Sequence, residues 1–307
     1  MERRRATGRL LGVAVLTGTL LATSPGLGQA APQPPGQADI AAAPACPPAP
    51  YGVQVSAPGP GRTVALTFDG GPGVSTEAIM RILEDNGVAG TFFNIGDYLA
   101  DRPTTVQSQA AQGFQLGNHT WSHPHMTTLS AAGQADQMDR YTAEQTRVVG
   151  FPACVFRPPF GEYNSTTLSV AQSRSMGVFN WSVDTLDWQV EGRSDAAAAN
   201  GIVARAQAGG SQSHPVVLMH NGPVGNPATV AALPAIITFY RDRGYTFVDL
   251  AGRVLDRPIA GDWDGDGTVT PGVVRGNTWY LRNSTTTGPA DIVFSYGGPS
   301  DRVITGD

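Results

Sequence analysis

From Arg62 onward the chain alternates between two textures. Short runs rich in β-branched and apolar residues read as strands: Thr63–Phe68, Ala89–Ile95, Gln115–Gly117, Val155–Phe160, Val178–Trp181, Val216–His220 and Thr246–Val248. Between them, apolar positions recur with helical period. One helix starts at Ser75, carries Ile79, Ile82 and Leu83 on one face, and stops at Gly87. Another is capped by Ser130 and runs to about Val149. Further helices are expected over Thr166–Met176, Asp195–Ala208 and Pro227–Arg243, the last with Asn226 as cap. Strands that alternate with helices predict a parallel sheet in an α/β layer or barrel. About seven such units fit between residues 62 and 256, a count that favours a barrel over an open sheet.

The flanks differ. Arg3 to Arg9 form a basic stretch before an apolar run, Leu10–Ala22, and the small residues Gly28 and Ala30. This is the pattern of a cleaved signal peptide over residues 1–30, too short in its apolar part to span a bilayer well. Residues 31–60, rich in Pro, Ala and Gly, read as a linker. After about residue 257 the texture changes again, opening on Gly261-Asp262-Trp263-Asp264-Gly265-Asp266-Gly267, and Gly306-Asp307 repeats the start of that segment. The spacing suits one unit of a blade-type repeat.

Hydrophobic residues make up 41% of the 307, enough for a large core. The net charge is -5, with no lysine at all, and residues 1–30 are locally basic, so the body is more acidic still. An acidic body repels phosphate backbones, which argues against nucleic acid as a partner. The two cysteines, Cys46 and Cys154, are expected to pair after export into an oxidising compartment.

All five histidines fall between residues 62 and 256, most of them near predicted strand ends. Five segments there can carry chemistry. In Thr67-Phe68-Asp69-Gly70-Gly71-Pro72 a strand delivers an aspartate into a turn, although Asp is also a common turn former. In His119-Thr120-Trp121-Ser122-His123 two imidazoles can face one ion if the stretch is helical or turn-like. In Arg157-Pro158-Pro159-Phe160-Gly161 the arginine can orient a carboxylate through paired hydrogen bonds, and the Phe160 N–H can face an oxyanion. Asp184-Thr185-Leu186-Asp187-Trp188 and Leu218-Met219-His220 bring a carboxylate and an imidazole, the makings of a general acid.

These five segments, in this order, resemble the motifs of the NodB-type polysaccharide deacetylases, carbohydrate esterase family 4, over residues 61–256. The resemblance implies a deformed (β/α) barrel, followed here by a short β-rich segment at 257–307. It implies a secreted or wall-associated, monomeric hydrolase that removes N- or O-acetyl groups from a polysaccharide such as chitin oligosaccharide, peptidoglycan or acetylxylan. By it Asp69 is the general base, Arg157 its positioning cation, and His220 the general acid supported by Asp187. His119 and His123 are ligands of a divalent metal: zinc, with cobalt or nickel as alternatives. Phe160 supplies its N–H, and Trp188 and Leu218 line the substrate site. The chain departs from the pattern at Gly70, where the family has a second aspartate that serves as third metal ligand. Either water or another donor such as His125 replaces it, or the domain binds glycan without hydrolysing it. A third reading is hydrolysis of a small acylated molecule.

In the tail, Asp262, Asp264 and Asp266 before Gly267 resemble the calcium loops of FG-GAP or VCBS-type blades. A calcium ion is the expected occupant, although Val273 stands where an EF-hand closes with Glu.

Overall fold

The computed structural model describes residues 46, 48–275 and 278–296. The expected signal peptide, residues 31–45 of the expected linker and the closing Gly306-Asp307 lie outside them.

The elements in chain order are β1 (Val53–Gln54), β2 (Thr63–Gly71), α1 (Thr76–Asp85), β3 (Gly90–Asn94), α2 (Gly96–Asp101), α3 (Pro103–Ala111), β4 (Gln115–Asn118) and α4 (Ala131–Val149). They continue with β5 (Val155–Phe156), α5 (Ser165–Gln172), β6 (Gly177–Phe179), β7 (Val183–Asp184), α6 (Ala196–Gln207), β8 (Val216–His220), α7 (Pro227–Arg241) and β9 (Thr246–Phe247). The main sheet runs β1-β6-β5-β4-β3-β2-β8-β7, all parallel, with β9 added beside β2. It curls into a half-barrel with helices outside, the deformed barrel expected. A separate antiparallel sheet follows, made of β10 (Asp256–Gly261), β11 (Thr270–Arg275), β12 (Thr278–Leu281) and β13 (Ile292–Ser295).

The period-2 rule on β2 decides what reaches the site. Val64, Leu66 and Phe68 pack in the main core with Ile79 and Leu83 of α1 and Leu233 and Ile236 of α7. Ala65 belongs to a second cluster with Phe93, Val155, Phe179 and Val216 inside the curl. Thr67 and Asp69 share the face of Ala65 and so point into the half-barrel.

The caps explain the helix starts. Ser130 Oγ accepts from Gly133 N at 3.2 Å, and Gly150 closes α4 with φ 84°. Asp195 accepts from Ala198 N. Helix α5 starts at Ser165 because Asn164 and Thr167 form a reciprocal capping box. Asn226 differs from its expected role: its side chain makes no cap bond, and Pro227, which has no N–H to satisfy, starts α7. Within the expected linker, β1 pairs with β6 and Ala57 N donates to His214 O, so the sheet begins earlier than composition suggests. The Cys46–Cys154 disulfide is formed and ties this arm to the residue before β5. Among the described residues no helix is long and apolar enough to cross a membrane.

Candidate active site

The carboxyl ends of the parallel strands converge on one cleft. Asp69 at the end of β2 and His220 at the end of β8 are register partners, so their side chains stand side by side on the inner face. Leu218, two residues before His220, shares that face and is buried.

Arg157 follows β5 and is fully buried. Its Nη1 donates to Asp69 Oδ1 at 2.7 Å and to Thr67 Oγ1 at 2.8 Å. Its Nε and Nη2 donate to the carbonyls of Phe179 and Asn180, and its guanidinium lies 4.3 Å from the Phe93 ring centroid. The aspartate therefore receives one hydrogen bond from Arg157 instead of the expected pair, because the guanidinium also donates to Thr67 Oγ1 and to two backbone carbonyls. Asp69 Oδ2 is left for other work.

His119 follows β4 and is buried. Its Nδ1 lies 2.7 Å from Arg157 O. A carbonyl can only accept, so Nδ1 carries the proton, and Nε2 of the neutral ring is a bare lone pair. Burial pushes the His119 pKa down to about 4, so the ring is neutral at pH 7. Nε2 faces Asp69 Oδ2 at 3.7 Å, too long for a hydrogen bond. Two buried acceptors opposed in this way suit a cation between them. Burial also lowers the pKa of His123, whose ring centroid is 4.9 Å from that of His119. No helix brings the pair together; Thr120 and His123 adopt positive φ, 70° and 58°. Gln137, reaching from α4, accepts from Trp121 N and Ser122 N and holds the loop. A single Gln on a helix face gave no sign of this in the sequence.

Asp187 is reached through a local device. The Asp184 carboxylate accepts from Leu186 N, and Leu186 turns left-handed at φ 51°, swinging Asp187 inward. Asp187 is buried and accepts from His220 Nδ1 at 2.7 Å, His220 N at 2.8 Å and Thr229 Oγ1 at 2.7 Å. His220 Nε2 is thereby aimed away from Asp187. Burial works against the His220 imidazolium, but the hydrogen bond and charge of Asp187 outweigh it, and its pKa lies above the usual imidazole range. A raised folded pKa adds stability that is fully present below the unfolded value of about 6.5 and lost as pH rises through the folded one. Asp187→Asn is expected to move the basic limb of kcat/KM to lower pH, with about tenfold lost per unit of displacement above it. A pH–rate profile checks this; an unmoved limb contradicts it.

Phe160 sits in a single 3₁₀ turn at φ 61°, ψ 6° and is half exposed, as is Trp188. The Phe160 N–H lies at the start of that turn, where no intrahelical acceptor exists. His125 does not join His119 and His123: its Nδ1 lies 2.9 Å from Glu162 Oε2 and its ring stacks on Phe160. Gly70 sits at a bulge in β2, where the pairing with β3 skips between Asp69 and Gly71, and has φ +82°. Nearby, Gly73 packs so tightly that a Cβ would meet Gly222 O at 1.8 Å.

Among the described residues, one group of three acidic or imidazole donors lies within 4.8 Å of one another: Asp262, Asp264 and Asp266. Asp262 accepts from the N–H groups of Gly265, Asp266 and Gly267, and that of Gly267 does most to hold its pKa below the carboxylate range.

A parallel half-barrel with an arginine-held aspartate and an aspartate-held histidine at adjacent strand ends defines a hydrolase-type site. The chain matches the family model described as polysaccharide deacetylase over residues 56–178. It is 32% identical over 202 residues to a peptidoglycan-N-acetylglucosamine deacetylase of Bacillus cereus, covering 65% of this chain and 71% of that protein. It is 33% identical to a chitooligosaccharide deacetylase of Sinorhizobium fredii, covering 60% of this chain and 87% of the relative. The solved family 4 carbohydrate esterase of Streptomyces lividans, in complex with acetate, superposes with a TM-score of 0.56 at 32% identity, covering 63% of this chain and 97% of that one. The chain belongs to the polysaccharide deacetylase family, hydrolases that act on carbon–nitrogen bonds other than peptide bonds.

Proposed function

We propose that this chain is an exported, divalent-metal-dependent deacetylase of an N-acetylglucosamine polymer, peptidoglycan or chitin oligosaccharide, acting as a monomer. The observation that carries the reading is the pairing of Asp69 with His220 across β2 and β8, each held by its own buried partner. The names of the two curated relatives support the substrate class, and the formed disulfide supports an oxidising compartment.

His119 and His123 would hold a divalent cation: the His119 Nε2 is unprotonated and faces Asp69 Oδ2, and the His123 ring lies 4.9 Å from that of His119. When bound, the metal would polarise the acetyl carbonyl and acidify water. Asp69 Oδ2, free of Arg157, takes the proton from a water as its oxygen bonds to the acetyl carbon. The Phe160 N–H donates to the developing oxyanion. His220 gives its Nε2 proton to the departing nitrogen as the C–N bond breaks, and the products are acetate and a free amine. Trp188 walls the groove, its exposed indole offering a face for a sugar ring to stack on.

The test is acetate release from peptidoglycan and N-acetylated chitooligosaccharide, compared with small N-acetyl amides. Turnover of polymer or oligosaccharide well above the small amides is expected; the reverse order would make the chain a small-molecule amidohydrolase. Gly70 favours a second reading, glycan binding without turnover, which binding to these polymers with no acetate would establish.

We extend the reading to the tail, where Asp262, Asp264 and Asp266 are proposed to hold calcium in a blade-type repeat. Calcium is expected to raise the unfolding temperature of the C-terminal sheet, and Asp262→Ala to abolish the shift. A melt indifferent to calcium contradicts this.

A further inference from the structure

Phe160 is one of four non-glycine residues of the site, with Thr120, His123 and Leu186, that stand at positive φ. A bulky side chain at φ 61° is a rare conformation that persists only where neighbours hold it. The backbone bonds of the turn, Gly161 N to Pro158 O and Glu162 N to Pro159 O, shape the loop, and Asn180 Nδ2 ties down Gly161 O. None of these grips the Phe160 ring, which is 53% exposed. The ring is gripped from another segment. His125 lies flat on it, with centroids 4.1 Å apart and planes at 15°, and His123 meets it edge-on at 4.7 Å. His125 is fixed at both ends. Its Nδ1 donates to Glu162 Oε2 at 2.9 Å, two residues beyond Phe160. Its carbonyl accepts from Thr128 Oγ1 and Thr128 N, and the next residue, Met126, is fully buried in the cluster that also holds Phe156.

We propose that His125 and Glu162 form a clamp that positions Phe160, holding its ring so that its backbone stays left-handed and its N–H stays aimed at the oxyanion. The role in turnover rests on the deacetylase reading; the hold on the Phe160 backbone does not. His125 is a positioning residue: it acts through Phe160, not on the acetyl group. The clamp closes a chain of contact from a buried anchor, Met126, through an exposed imidazole to the loop that carries the donor. The stack holds the ring, and the hydrogen bond to Glu162 keeps the imidazole from rotating off it.

An oxyanion donor acts in the transition state, so its loss lowers kcat and leaves KM nearly alone. Losing such a donor outright costs on the order of 10²–10³ in kcat. A donor that wanders in and out of position should cost about tenfold. The experiment compares His125→Ala, His125→Phe and Glu162→Gln. His125→Ala is expected to lower kcat about tenfold with KM within about twofold. His125→Phe keeps a flat ring on Phe160 and is expected to restore most of kcat, which a general loss of folding would not allow. Glu162→Gln keeps a hydrogen-bond acceptor and is expected to fall in between. Crystal structures of the alanine and phenylalanine variants supply a readout independent of turnover: Phe160 leaves positive φ in the first and keeps it in the second. A kcat for His125→Ala within twofold of wild type overturns the positioning role. A Phe160 that stays at positive φ in that variant overturns the clamp itself. If wild type and variants alike release no acetate, the deacetylase reading fails, and the Phe160 conformation still decides the clamp.

Discussion

Asp69→Asn is expected to lower kcat/KM by about 10³-fold, within the 10²–10⁴ that a positioned acid or base contributes. The amide can still accept from Arg157 Nη1, so the geometry of the cleft should survive. It cannot take a proton at the position that Oδ2 occupies. The structure adds a second consequence. Arg157 is fully buried, and Asp69 is the carboxylate bonded to it. Removing that charge leaves a buried guanidinium uncompensated, a change that costs about 3–5 kcal/mol when a buried pair is broken. The variant should therefore unfold at lower temperature as well as lose activity. His220→Ala tests the other half of the pair with a milder form of this complication, because the buried Asp187 carboxylate loses the imidazole but keeps the backbone N–H of residue 220 and the Thr229 hydroxyl. It is expected to lose activity to a similar degree with a smaller change in stability. Steady-state kinetics beside thermal melts separates the two effects. Wild-type turnover in either variant would contradict the roles assigned.

Gly70→Asp is expected to tighten zinc binding on the order of 100-fold or more, since even outer-shell partners contribute 10–100-fold. By the family pattern the substitution would add an anionic oxygen to a site whose two imidazoles, among the described residues, belong to no group of three donors all within 4.8 Å of one another. Space permits it: a Cβ on Gly70 would meet nothing nearer than Gly222 Cα at 3.9 Å. The backbone sets a modest cost. At φ +82° an L-residue is strained by about 1–2 kcal/mol, and aspartate is among the few that visit this region readily. Glycine at this bulge relaxes the backbone and forgoes a ligand; aspartate does the reverse. Titration of metal-stripped protein by calorimetry measures the affinity directly. An affinity unchanged by the substitution would show that position 70 has no part in the metal site.

The strand-end chemistry was legible because each motif sits where an apolar run stops, and a parallel sheet gathers those ends on one side. Asp69, Arg157, Asp187 and His220 meet as their order suggested. What the sequence hid was carried by polar residues without periodicity. Helix α3 buries Val106 and a glutamine, Gln109, which hydrogen-bonds Asn94, so its inner face does not look apolar. Helix α2 spans six residues and has no capping side chain. Strand β1 is two residues in a Pro- and Gly-rich stretch, held by its partner β6 rather than by its own propensity. Gln137 and Thr229 support the site from helices where nothing distinguishes them from surface residues. The left-handed turns at Thr120, His123, Phe160 and Leu186 were equally hidden, because non-glycine residues rarely adopt them and tertiary contacts impose them.

Asp69, His220 and the two imidazoles are expected to work as a metal-dependent deacetylase despite Gly70. The most direct test is acetate release from N-acetylated chitooligosaccharide and peptidoglycan by metal-stripped protein, before and after addition of zinc, cobalt or nickel. No acetate is expected from the stripped protein, acetate once metal is added, and more at limiting metal when Gly70 is replaced by aspartate. No acetate from the native chain with any of the three metals, on either substrate, would contradict this and leave a glycan-binding domain in place of an enzyme.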